Sequence, residues 1–265
     1  MQFVLVDLPN RDQFYPFSLT RSLTEIRVGI MSIQERWELI FNTTCEVYTA
    51  PYLQELYSAT FLEHTNEVVF INASCIPNQT IYSAILNLKS GENLINEDGK
   101  WIASKTTERS LGKILLGDPS LKTTAAADFI KNAMHLLHLN KTFIQADFER
   151  IISNRKSAEV DATNRLICPE NIFIEEGAVL TGASLNASEG AIYIGKNALV
   201  MEGVAIRGPF VLGEKSVIKM NASVYGATAV GPYCTIGGEI KNSIILGYSN
   251  KAHEGYLGDS IIGHW

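Results

Sequence analysis

The sequence predicts two domains of different class: an α/β domain over residues 1–165 and a parallel β-helix over residues 166–265. Three observations predict this. Strand-like and helix-like runs alternate through the first half. A polar, irregular stretch, Asn154–Arg165, interrupts the pattern. Beyond it, branched aliphatics recur at every sixth residue.

The first half opens with "QFVLVD" (Gln2–Asp7), a short buried-strand run. Val28–Asn42 follows with helical periodicity through Ile30, Ile33, Trp37 and Ile40. "CEVYTA" and "EVVFINAS" read as further strands, and Ala126–Lys141 as the strongest helix. Strand, helix and strand in succession imply a parallel sheet covered by helices. In the second half Ile194, Val200, Ile206, Leu212, Ile218, Val224, Val230 and Ile236 all stand six apart. An arbitrary frame would be apolar at all of them about once in 250 times. Four residues after each aliphatic comes a mostly small side chain: Ala198, Ser216, Ala222, Thr228 and Cys234, with Val204 and Phe210 larger. Gly195, Gly213 and Gly231 follow every third aliphatic, as if one corner of each turn needs backbone freedom. Hexads grouped in threes describe a triangular prism of stacked coils with the aliphatics on its axis.

Composition narrows the function. Apolar residues make up 46% and charged residues 19%, enough for a substantial core. The net charge of -6 and pI near 5.4 leave no footprint for nucleic acid, so a phosphate-bearing ligand needs a local basic cluster. Cys45, Cys75, Cys168 and Cys234 form no C-x-x-C pair, which fits reduced thiols and a cytoplasmic setting. The start, "MQFVLVDLPN", lacks a basic leader, and no run reaches membrane-spanning length, so no membrane partner is expected. His135 and His138, spaced i and i+3 on an apolar helix, read as core or surface residues, and no metal set is assigned.

The regular ladder ends after Ile236, and "GEIKNSIILGYSNKAHEGYLGDSIIG" follows. Departures from a repeat are where function is commonly grafted. Through Glu239-Ile-Lys241, Leu246-Gly247 and Lys251-Ala-His253-x-x-Tyr256-Leu-Gly-Asp259, this segment resembles the bifunctional N-acetylglucosamine-1-phosphate uridyltransferase/glucosamine-1-phosphate N-acetyltransferase family. The resemblance implies a nucleotidyltransferase-like (Rossmann-like) first domain and a left-handed β-helix of hexapeptide repeats, assembled as a homotrimer. It implies that His253 takes a proton from the amine of a sugar phosphate, which then attacks acetyl-CoA. Imidazole as a class titrates near neutrality, which suits that task. Lys241 and Tyr256 would hold the phosphate, with Glu239 beside them and Lys251 adding charge.

The sequence also departs from the family. Relatives grip the phosphate with an arginine one coil earlier; counting back from Lys241 lands on Ser223, with Lys219 the nearest basic residue. The family's acetyl-CoA-binding coils lie beyond Trp265, so the chain reads as a fragment or as a short form without the thioester site. For the first domain the resemblance implies UTP and Mg²⁺. Relatives there use a glycine-rich phosphate loop, yet Leu8–Tyr15 holds no glycine and Pro9 removes a donor. Arg11, Arg21 and Arg27, the last beside Gly29, are the phosphate-binding candidates. Asn72 or Ser74 stands where relatives carry the metal-binding aspartate, and Asp147 is a later carboxylate. The expected function is amino-sugar nucleotide synthesis by acetyl transfer, uridylyl transfer or both. The alternatives are a non-catalytic sugar-nucleotide-binding or oligomerisation module, and nucleotidyl transfer to another sugar phosphate.

Overall fold

The computed structural model describes residues 1–62, 66–116 and 122–265. By packing, the chain divides into two compact units: Met1–Ile26 with Ser32–Asn132, and Arg27–Met31 with Ala133–Trp265.

Among the described residues, eight strands precede residue 125: β1 (Gln2–Val6), β2 (Arg27–Val28), β3 (Met31–Ser32), β4 (Glu46–Tyr48), β5 (Val68–Asn72), β6 (Asn93–Ile95), β7 (Trp101–Thr106) and β8 (Lys122–Thr124). β2 and β3 pair only with each other; the other six form one sheet in the order β4-β1-β5-β7-β6-β8. β1 runs parallel to both β4 and β5, and β7 runs antiparallel to β5 and β6. Val4 and Val6 pack with Phe61, Val68 and Phe70 on one face of β1, while Phe3, stacked on Phe41, and Leu5 are buried on the other, which explains why β1 is apolar throughout rather than alternating. The chain visits β4 on one side of β1 and then β5 on the other. The strand order therefore reverses between β1 and β5, where open α/β sheets bind their ligands.

Helix α1 (Ile33–Phe41) starts later than the periodicity from Val28 suggests. Ser32 caps it: its hydroxyl accepts from Glu35 N while the Glu35 carboxylate accepts from Ser32 N. Short helices α2 (Pro51–Gln54), α3 (Gln79–Leu86) and α4 (Leu111–Leu116) complete the unit. The expected helix from Ala126 is displaced as well, because residues 128–130 pair with the segment after β5. Ile130 N donates to Ser74 O (2.8 Å) and Ile76 N to Asp128 O (2.8 Å). Those long-range bonds take the backbone groups that a helical turn would need.

In the second unit, which also takes in Arg27–Met31, α5 (Ala133–Ile152) is grouped by packing with the solenoid although it precedes residue 165. Ile144 and Phe148 pack with Phe173, Ala191, Val211 and Ala229. Two buried polar side chains of α5 hold the β2–β3 turn. Asn140 Oδ1 accepts from Gly29 N (2.9 Å), and Asp147 Oδ2 accepts from Ile30 N (3.0 Å) and Met31 N (3.3 Å). Asp147 is thus a structural acceptor, 1% exposed, and not the spare carboxylate of a metal site. Gly29, at φ +70°, lies so close to α5 that a Cβ would fall 2.6 Å from Asp147 Oδ2.

The solenoid carries parallel strands on three faces from Arg165 to Ile262. The first face stacks Arg165–Ile167, Ser184–Asn186, Ala205–Arg207, Ser223–Tyr225, Glu239–Lys241 and Tyr256–Gly258. The second stacks six strands from Ile172–Ile174 to Ile261–Ile262, and the third five strands from Val179–Leu180 to Asn250–Lys251. All eight aliphatics of the six-residue ladder are buried, none above 2% exposed. The prism does not stop at Ile236: Ile240 and Ile245 continue its axis, fully buried.

Coil length is what changes. Phe210 pairs with Thr228, eighteen residues on, but Ser223 pairs with Glu239 after sixteen and Ala229 with Ile244 after fifteen. The glycine corner has a different cause from the expected backbone freedom. Gly195, Gly213 and Gly231 do not need positive φ; they are where successive coils touch. A Cβ would lie 2.7 Å from Glu214 N, 2.4 Å from Gly231 C and 1.7 Å from Leu246 O, respectively.

Candidate functional site

Two sites can be built, one in each unit. In the first, the carboxyl ends of β1 and β5 flank the point where strand order reverses; Asp7 follows the first and Asn72 ends the second. Asn10 Nδ2 donates to Ser74 Oγ (2.8 Å), a bond that links the two strand ends. Asn72 Oδ1 accepts from both Ser74 N (3.0 Å) and Ser74 Oγ (2.8 Å), and its amide donates to Trp101 O (3.0 Å).

Asp7 and Arg11 form a buried pair at this edge. Asp7 Oδ2 accepts from Arg11 Nη1 (2.9 Å), Leu23 N (3.0 Å) and Thr49 Oγ1 (2.9 Å). Arg11 also donates to Ser18 O, Thr49 Oγ1, Arg21 O and Tyr52 Oη. At 5% exposure it is no open phosphate ligand: its fork fastens the glycine-free loop that replaces a phosphate-wrapping one. Arg21 is half-buried and pairs with Glu25 (2.9 Å); Arg27, also half-buried, donates to Ile30 O (2.9 Å) in the second unit. The cation that sequence reading missed is Lys100, at the β6–β7 turn. Its Nζ stands 3.8 Å from the centre of the Phe129 ring, and burial followed by the neighbouring Lys131 charge pushes its pKa down. The turn chemistry of Asn96–Lys100 was readable, but only the antiparallel return of β7 beside β5 brings it to this edge.

The described residues do not fit a Mg²⁺ cradle here. Asp7 Oδ1 is a buried oxygen without a hydrogen-bond partner, yet its carboxylate is already ion-paired. Asn72 spends its oxygen on Ser74. Among the described residues no three His, Cys, Asp or Glu side chains gather as a metal site.

The second site lies on the first face of the solenoid. Strand alternation points Glu239 and Lys241 outward around the buried Ile240. Register sets Tyr256 beside Glu239, Gly258 beside Lys241 and Tyr225 on Lys241's other side. The Tyr256 ring lies along its own strand over Gly258, where a Cβ would fall 2.1 Å from its hydroxyl, and Gly258 is the register partner of Lys241. Tyr225 donates to the Glu239 carboxylate, which is the main cause of its raised pKa, and Lys241 Nζ stands 6.0 Å from its ring centre. Three of the expected substrate residues therefore converge, with Tyr225 as a fourth that sequence reading missed. The short coil explains the miss: a count of eighteen from Lys241 gives Ser223, whereas sixteen gives Tyr225. Lys219 stands at the corner after the third face, its Cβ against Gly237, away from this column.

His253 is exposed on the turn between Asn250–Lys251 and Tyr256–Gly258. Lys251 is what holds that turn. Its ammonium donates to Gly237 O (2.7 Å), His253 O (2.9 Å) and Gly255 O (2.8 Å), which uses all three protons. Lys251 therefore fixes the backbone that carries His253 and has no proton left to donate to a phosphate.

No match to the chain is found among curated proteins. A family model described as sugar nucleotidyl transferase matches residues 3–156. That span is more than half of the 265 residues; the chain belongs to the sugar nucleotidyl transferase family.

Proposed function

We propose that this protein of sugar-nucleotide metabolism transfers an acetyl group from acetyl-CoA to the amine of glucosamine-1-phosphate at the solenoid site. The observation that carries the reading is an exposed imidazole on a turn that Lys251 fastens and that leads straight into the Tyr256–Gly258 strand, which pairs in parallel with Glu239–Lys241. Lys241 gives a point charge and Tyr256 a hydroxyl donor for phosphate. His253 accepts the proton of the amine as the amine nitrogen bonds to the thioester carbonyl carbon; the carbon–sulfur bond breaks, and the departing thiolate takes that proton from the imidazolium to leave as the thiol. Fixing the His253 backbone limits the conformers that must be lost on the way to reaction.

Family membership favours a second reading for the first unit, uridylyl transfer from UTP to N-acetylglucosamine-1-phosphate at the edge between β1 and β5. One pair of assays tests both. With glucosamine-1-phosphate and acetyl-CoA, thiol release should fall at least ~100-fold in His253→Ala, the low end for loss of a general base. Release unchanged in that variant would move the base elsewhere, and no release at all from the wild type would sink acetyl transfer. With UTP, Mg²⁺ and N-acetylglucosamine-1-phosphate, pyrophosphate should appear if the first unit is a working transferase; none would leave it a binding module.

A further inference from the structure

Helix α5 buries only one side against the solenoid, through Ile144 and Phe148. Between its exposed side and the corner that joins the first and second faces lies a cleft of about 410 Å³, wholly within the second unit. That size falls in the range of small-molecule sites. On the solenoid side it is lined by Gly190 and Pro209, which take that corner in successive coils. A Cβ on Gly190 would fall 2.8 Å from Pro209 Cβ, so coil contact keeps the floor free of side chains. The Pro209 ring and, from the helix, the Ala146 methyl offer the cleft carbon alone. The remaining lining groups are polar. Gln145 Nε2 donates to Glu149 Oε1 (2.9 Å), which commits one amide proton and keeps the Gln145 oxygen as an acceptor. Glu189 pairs with Arg207 (3.1 Å), but both side chains are more than half exposed, so the pair is weakly held. Thr142 adds a hydroxyl and Lys141 an ammonium.

We propose that this cleft is a separate ligand site for a neutral pyranose, a sugar ring that carries no phosphate. Charge argues against an anion: Lys141 and the neighbouring Arg207 are matched by Glu149 and Glu189, so no cation is in excess. A nucleobase is disfavoured as well, because no aromatic ring lines the cleft to stack on it. A pyranose presents what the lining complements, an aliphatic C–H face and a rim of hydroxyls that both donate and accept. Its C–H face lies on Pro209 and Ala146. Its hydroxyls donate to the carboxylates of Glu149 and Glu189 and to the Gln145 oxygen, and accept from Lys141. The site rests on neither transfer reading, since it shares no residue with the Lys241 face or with the β1–β5 edge.

The test is saturation-transfer NMR titration of the full chain with glucose and, separately, with N-acetylglucosamine. At least one of them should bind saturably. Ala146→Leu, a good helix former that covers the floor, should weaken that binding at least ~10-fold. Glu149→Gln should weaken it about tenfold, the effect of losing one hydrogen bond to a charged group. Arg150→Met, exposed on the same helix outside the cleft, should leave it unchanged. Should Ala146→Leu lower the melting temperature, the near-isosteric Glu149→Gln carries the test. No saturable binding of either sugar, or wild-type affinity in both Ala146→Leu and Glu149→Gln, overturns the site. Binding of N-acetylglucosamine-1-phosphate with equal affinity and equal dependence on Glu149 would overturn the preference for a neutral ring. Thiol or pyrophosphate release without Ala146-dependent sugar binding would sink the cleft alone. Ala146-dependent binding with neither release would sink the transfer readings alone.

Discussion

Arginine serves opposite ends in the two units. Arg11 is enclosed, with Asp7, Ser18, Thr49 and Tyr52 around its guanidinium. Arg207 is exposed, with one carboxylate at its side. The difference is measurable. Arg11→Ala strands a buried Asp7 carboxylate and should cost about 3–5 kcal/mol in urea unfolding. A loss under ~1 kcal/mol would show that the pair is hydrated and that Arg11 is free to meet a ligand. Lys251 shows the same economy at the solenoid site: a residue that reads as a ligand by type is spent on three carbonyls, and His253 gains a fixed backbone.

At the scale of the element, the solenoid is tuned by coil length more than by side-chain identity. Shortening from eighteen residues to sixteen and fifteen re-registers everything downstream while the axis stays aliphatic through Ile240 and Ile245. The glycine corner is where that stacking is tightest. Gly231→Ala would push a methyl to 1.7 Å from Leu246 O, so backbone must shift. The expected loss is about 1–3 kcal/mol, as for other overpacking changes, read as a lower melting temperature. Gly112→Ala is the control, since a Cβ there meets nothing within 4 Å. Equal melting temperatures for the two variants would mean that the corner yields freely.

For the whole molecule, the cysteines report on both units at once. Cys45, Cys75 and Cys234 are buried and Cys168 is half-buried, so a thiol reagent should label Cys168 first and the others only on unfolding. Burial, chiefly, pushes the Cys45 and Cys75 thiols from 9.0 up to about 12. Both groups are raised, so their contribution is complete below pH 9, where the unfolded thiols are also protonated. It is lost as pH rises from 9 toward 12, because only the unfolded chain releases those protons. Each thiol should steepen that decline by about 1.4 kcal/mol per pH unit. Cys75→Ala should therefore show a shallower alkaline slope than wild type; an identical slope would mean the thiol ionises in place.

The sequence by itself determined the two fold classes, the aliphatic axis of the prism and three of the residues on its first face, Glu239, Lys241 and Tyr256. The fold classes and the axis follow from local rules, six-residue spacing and the alternation of strand-like and helix-like runs, whereas Glu239, Lys241 and Tyr256 were legible only through the resemblance of their segment to a known family. Tertiary structure alone decided the rest. Coil register put Tyr225 rather than Ser223 beside Lys241. Pairing of residues 128–130 with the segment after β5 took away the start of a helix. Enclosure turned Arg11, Lys251 and Asp147 from candidate ligands into fasteners of the backbone. The physical reason is common to all of them: a polar side chain is available to a ligand only if folding has not already supplied its hydrogen-bond partners, and those partners lie far away in sequence.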